Sequence, residues 1–196
     1  MKTLALDLST KTGWALFDGA QLVSFGNLTL PKSVKDYGNY PLGWLDAINE
    51  MTQCVVNVVT TTKPDIIIIE ETNLGRNRYS QKILEFLHYS ILLWLKCNTV
   101  TPIKYVSTSS WRKALQLFLT KDDKKNNTKV NRANREGLSK KELGLSGKVT
   151  QKHLSVRFVN ALFKLELKLK DNDIADAVCL GWAYQTAPNI LLCNGE

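Results

Sequence analysis

At 196 residues and 44% hydrophobic content, the chain is long enough for one compact domain with a real core, of radius of gyration about 16 Å. It holds no run of about 18 apolar residues, and its start, "MKTLALDLSTKTG", lacks the unbroken apolar stretch and cleavage site of a secretory leader, so a mature, soluble, intracellular protein is expected. The net charge of +8 is uneven: residues 121–148 carry nine Lys/Arg against four Asp/Glu, a composition that suits either a solvated flexible loop or a polyanionic partner.

The residues 3–8 alternate as a strand, with Leu4, Leu6 and Leu8 on one face and Ala5 and Asp7 on the other. After the "STKTG" turn, "WALF" resumes as a second strand, "DG" turns again, and "QLVSFGNLTL" makes a third, completing an antiparallel meander. A Pro/Gly/Tyr/Lys-rich connection over 31–41 leads into a helix over 42–62, apolar at Leu45, Ile48, Met51 or Thr52, and Val55. "KPD" stops it. Residues 65–70 form a fourth strand whose isoleucine run implies burial on both faces, as in a central parallel strand. A helix over 79–97 follows, with a stripe through Ile83, Leu87, Ile91 and Trp94, then the strand "PIKYV" and a short helix at "SSWRKALQLF" capped by Ser109 or Ser110. The basic segment comes next, read as a flexible insert at about 120–148, and helices at 150–168 and 173–186 end the chain. The order describes one α/β domain over 1–196, a mixed five-stranded sheet flanked by helices in the ribonuclease H-like arrangement.

Cys54, Cys97, Cys179 and Cys193 form no C-x-x-C pair, and three fall in apolar surroundings, so buried or unpaired thiols are expected rather than zinc or disulfides. His88 and His153 are the two histidines, too few for a His-based metal site.

The carboxylates carry more information. Asp7 lies among leucines, where it either hydrogen-bonds the following turn or serves a site. Glu70 and Glu71 end the isoleucine strand and point to opposite faces, and parity alone does not say which of them joins Asp7. Asp173 and Asp176, three apart at a helix start, share one face; acids there also complement the helix dipole and cap free amides. If these acids converge, each pair at ~4 Å repels by about 4 kcal/mol at an effective dielectric of ~20, which a marginally stable domain tolerates only with a cation among them. Oxygen ligands without cysteine or histidine select Mg²⁺ or Mn²⁺, one or two ions.

"ALDLSTKTGWALFD", "IIIIEETN" and "DNDIADAVCLGWAY", in this order, resemble the RuvC-like Holliday junction resolvases of the ribonuclease H-like superfamily, in a diverged, phage-type form. The resemblance implies Asp7, Glu70, Asp173 and Asp176 as a catalytic and metal-binding tetrad. It implies a metal-dependent endodeoxyribonuclease that resolves four-way junctions by paired nicks, acting as a homodimer in the cytoplasm of a bacterial or phage-infected cell, without membrane or small-molecule substrate. The family continues Asp-Pro-Gly after the first acid, where this chain has Asp7-Leu8-Ser9. The family's bacterial enzymes also place an aromatic wedge three residues past the glutamate, where this chain has Asn73. The 79–97 helix offers a dimer seam through Leu87, Ile91 and Trp94, although core is the default reading of the same stripe. DNA contacts are expected at Arg76, Arg78, Tyr79, Arg112, Lys113, Lys148 and Lys152; with six or so engaged, the salt slope of binding would be about −5. The alternatives are a broader branched-DNA endonuclease, a non-catalytic junction-binding protein on this fold, and an actin-like ATPase, for which the chain is too short to hold a second phosphate loop.

Overall fold

The computed structural model describes residues 1–72, 77–139, 145 and 147–188. Strands β1 (Lys2–Asp7), β2 (Lys11–Asp18) and β3 (Gln21–Thr29) form the meander, and β4 (Ile66–Glu70) and β5 (Ile103–Val106) extend it. The sheet order is β3-β2-β1-β4-β5. The pairs β1/β2 and β2/β3 are antiparallel, while β1/β4 and β4/β5 are parallel, so the sheet is mixed, as the sequence predicts.

The period of two in β1 divides the core. Leu4, Leu6 and Leu8, with Ile67 and Ile69, pack against α1 (Leu42–Thr62) and α2 (Arg78–Asn98). Ala5, Ile66 and Ile68 face the opposite layer, which holds α3 (Thr108–Ala114), α5 (Gln151–Phe163) and α6 (Asn172–Thr186). All four isoleucines of β4 are buried, each contributing roughly 1.5–3 kcal/mol relative to exposure. On α2 the buried stripe runs Ile83, Leu87, Ile91 and Leu95; Trp94 is only half-buried, so the expected stripe is corrected at its last position.

Four other expectations change. Residues 121–136 of the basic segment are a helix, α4 (Lys121–Glu136), not a flexible loop. Thr120 and Asp123 close a capping box at its start, Gly137 ends it at φ 69°, and Asn127, Val130 and Ala133 give it one buried face. The short helix before it is capped by Ser107, whose hydroxyl accepts from the Ser110 amide, instead of by Ser109 or Ser110. The helix begun at 151 stops at Phe163, because Lys164 turns left-handed (φ 56°) and the Leu165/Leu167 alternation favours extended backbone, held there by Asn160 hydrogen-bonding both backbone groups of Leu167 at 2.9 Å. Cys179 is buried, but Cys54 is half-buried and Cys97 exposed, so the apolar setting expected for three thiols holds fully for one of those described; Cys193 lies outside the described residues. No helix among the described residues is long and apolar enough to cross a membrane.

Candidate active site

Asp7 ends β1 on the Ala5 face, the side covered by α6. Parallel pairing of β1 with β4 matches Ala5 to Ile68 and Leu6 to Ile69, so the next residue of β4, Glu70, falls on the face of Asp7. Glu71 leaves the strand: its amide donates to the Val106 carbonyl at 2.9 Å, the residue is exposed, and its charge acts on Tyr105. The register therefore resolves what parity left open.

Gly13 brings the third segment in. It sits across from Asp7 in the β1/β2 ladder, and a Cβ there would lie 1.9 Å from the carbonyl oxygen of Asp173. Only a residue without a side chain lets the start of α6 rest on the sheet at this point. Asp171, not Asp173 or Asp176, stands at the N-cap, and its carboxylate accepts from the Lys168 amide at 2.9 Å. The two later acids are thus left to face the C-terminal ends of β1 and β4.

The charges are held by an asymmetric set of partners. The Thr108 hydroxyl donates to one oxygen of Glu70, and the Trp111 indole N–H donates to the other at 3.2 Å. Lys11 Nζ reaches Asp173 at 3.0 Å and the Lys170 carbonyl at 2.7 Å. Arg112 approaches Asp176 loosely, at 3.5 Å. Burial pushes the Asp7 carboxyl well above the usual carboxylate range, and Glu70, Asp176 and Asp173 push it further; the weakest influence, from Lys152, is the one that opposes. Burial also raises Glu70, helped by Asp176 and opposed by Thr108, Arg112 and Trp111. Asp176 is raised mainly by burial, against the Ser155 hydroxyl, Arg112 and Lys152. Asp7 and Asp176 therefore each lie within electrostatic reach of the other three acids.

This donor set fits a hard divalent cation in chemistry: several carboxylates, mostly buried and mutually repelling, with no sulfur donor of use. Among the described residues, however, no three acidic, histidine or cysteine groups surround one point closely enough to form a ready-made cage. Two of the acids instead carry Lys11 and Arg112 as counter-charges.

The expected DNA-contacting residues divide by setting. Arg78, Lys113, Lys148 and Lys152 are exposed, and Lys152 is the one whose charge reaches Asp7 and Asp176. Tyr79 is 46% exposed and packs edge-on against Trp44, with ring centroids 4.4 Å apart. Arg112 points inward: its side chain is 15% exposed and lies over the Trp111 ring beside Asp176. Arg76 and Asn73 lie outside the described residues. Sequence reasoning missed Lys11, Thr108, Trp111 and Ser155, whose roles depend on contacts between remote segments; the hydroxyl-rich "VSTSSW" directly before Arg112 was the available signal.

A mixed sheet of order β3-β2-β1-β4-β5, with acids at the ends of β1 and β4 and at the start of the last helix, is the ribonuclease H-like architecture. Among solved structures, Thermus thermophilus RuvC in complex with a Holliday junction substrate matches with a TM-score of 0.60 at 12% identity, over 97% of this chain and 96% of that one. A second Thermus thermophilus RuvC structure gives 0.57 at 14% identity, over 97% and 96%. The yeast mitochondrial Holliday junction resolvase Ydc2 gives 0.55 at 11% identity, covering 96% of this chain and 79% of that chain. The fold is RuvC-like. No family model matches the sequence, and a search of curated proteins finds no match.

Proposed function

We propose that this protein is a divalent-metal-dependent endonuclease that resolves four-way DNA junctions by paired nicks, working as a homodimer. The observation that carries the reading is the convergence of Asp7, Glu70, Asp173 and Asp176, from three remote segments, at the C-terminal ends of the interior strands β1 and β4, where their repulsion is only partly compensated. A binding module for phosphates would gain affinity by losing these charges; a site that holds Mg²⁺ or Mn²⁺ needs them. The fold shared with RuvC bound to a Holliday junction supports the same substrate class.

In this reading Asp7 and Glu70 hold the cation, with Asp176 and Asp173 completing the site once Arg112 and Lys11 release them. A bound divalent ion would lower the pKa of an attacking water and neutralise charge on the scissile phosphodiester. Thr108 and Trp111 fix both oxygens of Glu70, so the carboxylate cannot rotate away from Asp7. Arg112 and Lys11, once displaced, stand beside the reacting phosphate. Lys152, Arg78, Tyr79, Lys113 and Lys148 would contact the DNA backbone, together with Arg76.

The Leu87/Ile91 stripe of α2 takes its default reading as core, so the proposed seam lies on another face of the helix. Leu87 and Ile91 are each 1% exposed and belong to the protomer core. The outward face carries Tyr89, 67% exposed, and Leu93, 48% exposed, beside Leu45 of α1, 49% exposed. A second copy seated there would place two sites on one symmetric junction.

The test is cleavage of an end-labelled four-way junction beside a linear duplex of the same sequence, with Mg²⁺ or EDTA. Cutting of the junction in Mg²⁺ alone, abolished by Glu70→Gln, is expected. Equal cutting of both substrates would reduce the reading to a general nuclease, and no cutting of any branched DNA would remove it.

A further inference from the structure

Helix α4 has a charge distribution that the catalytic reading does not use. Its sixteen residues hold six Lys/Arg, and Lys121, Lys124, Lys125, Lys129, Arg132 and Arg135 are all exposed. At 3.6 residues per turn, five of them (all but Lys129) fall within about 100° of arc. The buried Asn127, Val130 and Ala133 lie on the opposite side. Of the acids of the helix, one closes its cap and one pairs with a member of the stripe itself. Asp123 is taken by the capping box and lies under the influence of Arg157, and Glu136 pairs with Arg132 at 2.8 Å.

The helix is also anchored. Buried Asn127 donates to the Val149 carbonyl at 2.7 Å and accepts from its amide at 2.8 Å, so the side chain substitutes for a strand partner. Val149 immediately precedes Thr150, which caps α5, the helix that carries Lys152 towards Asp7 and Asp176. The basic stripe is thereby fixed to the element that lines the acids.

We infer that α4 is a second DNA-binding surface, a rigid basic rod that grips the phosphate backbone of a duplex arm beyond the cut site without reading sequence or junction shape. The inference rests on the nucleic-acid reading above. From Lys121 to Arg135 the stripe spans about 21 Å, a length over which duplex DNA presents about a dozen phosphates. A membrane surface fits poorly: an interfacial helix needs a free apolar face, and the apolar residues of α4 are those used to dock it.

The experiment measures binding in EDTA, so no cleavage is required and the outcome is separate from that of the nuclease assay. A labelled linear duplex, a labelled four-way junction and anionic phosphatidylserine vesicles are titrated with wild type and with the variant K121Q/K124Q/K125Q/R135Q. Circular dichroism checks that helix content is retained, and K121R/K124R/K125R serves as the charge-retaining control. The expected result is an equal loss of affinity for duplex and junction in the Gln variant. Its log–log salt slope should flatten by about 3 to 4, and the Arg control should behave as wild type. Unchanged slope and affinity would overturn the inference. So would a loss confined to the junction, or vesicle binding that depends on these residues while DNA affinity stays intact.

Discussion

Asp7 sets the energetics of the site. Its folded-state pKa, like those of Glu70 and Asp176, is raised, first by burial and then by the neighbouring acids. A carboxyl with a raised folded pKa binds its proton more tightly when folded. The penalty is therefore absent in acid and grows as pH rises from the ordinary carboxylate range through the raised value. Asp7→Asn should consequently melt higher than wild type in EDTA at neutral pH, and the gap should close in acid. Each 1 kcal/mol relieved is worth about 2–4 °C for a chain of this size. Mg²⁺ should raise the wild-type Tm and leave that of the variant nearly unmoved. A wild type more stable than Asp7→Asn in EDTA would mean that the acids are satisfied without a cation. The residue scale was also where sequence reading stopped short. The placement of Asp7 on the Ala5 face is legible from alternation, but the choice of Glu70 over Glu71 needs the β1/β4 register, a non-local fact.

Elements position these residues through close approach. Gly13 on β2 and Gly181 on α6 mark two points of close approach between the last helix and the sheet: a Cβ at the first would meet the Asp173 backbone at 1.9 Å, and one at the second would meet Phe17 at 2.5 Å. Both Gly→Ala variants should lose stability, at the upper part of the roughly 0.5–3 kcal/mol usual for point changes. Their activities should differ. Gly13→Ala pushes Asp173 away from Asp7 and should abolish cleavage even at temperatures where the variant is folded. Gly181→Ala disturbs only packing and should retain it. Equal residual activity in the two folded variants, measured on the same junction, would show that the approach at Gly13 is merely structural. Most elements were legible because their apolar periods are strong, as in the isoleucines of β4 and the Ile83/Leu87/Ile91 stripe of α2. Helix α4 was not, because only Val130 and Ala133 of its buried residues are apolar and its strongly polar composition reads as loop.

At the scale of the whole molecule, the proposed resolution by paired nicks requires two sites acting on one junction. The exposed Tyr89, Leu93 and Leu45 make an apolar strip, which a second copy would cover. Leu93→Asp should convert a dimer into a monomer by light scattering. It should also change the products on a cruciform plasmid, from linear DNA made by coupled nicks to singly nicked circles. A wild type that is monomeric at assay concentrations, yet still yields linear product, would place the pairing elsewhere. The architecture itself was readable from element order, and the core reading of Leu87 and Ile91 holds, whereas the exposed strip was not legible because a helix pattern shows which residues are apolar and not which of them the protomer already buries.

The most direct test of the metal-centred account is an anomalous-scattering map from crystals grown with Mn²⁺. The account predicts a peak between the carboxylates of Asp7 and Glu70, with Arg112 withdrawn from Asp176. A map with no peak there, and with Lys11 and Arg112 still paired to Asp173 and Asp176, would contradict it.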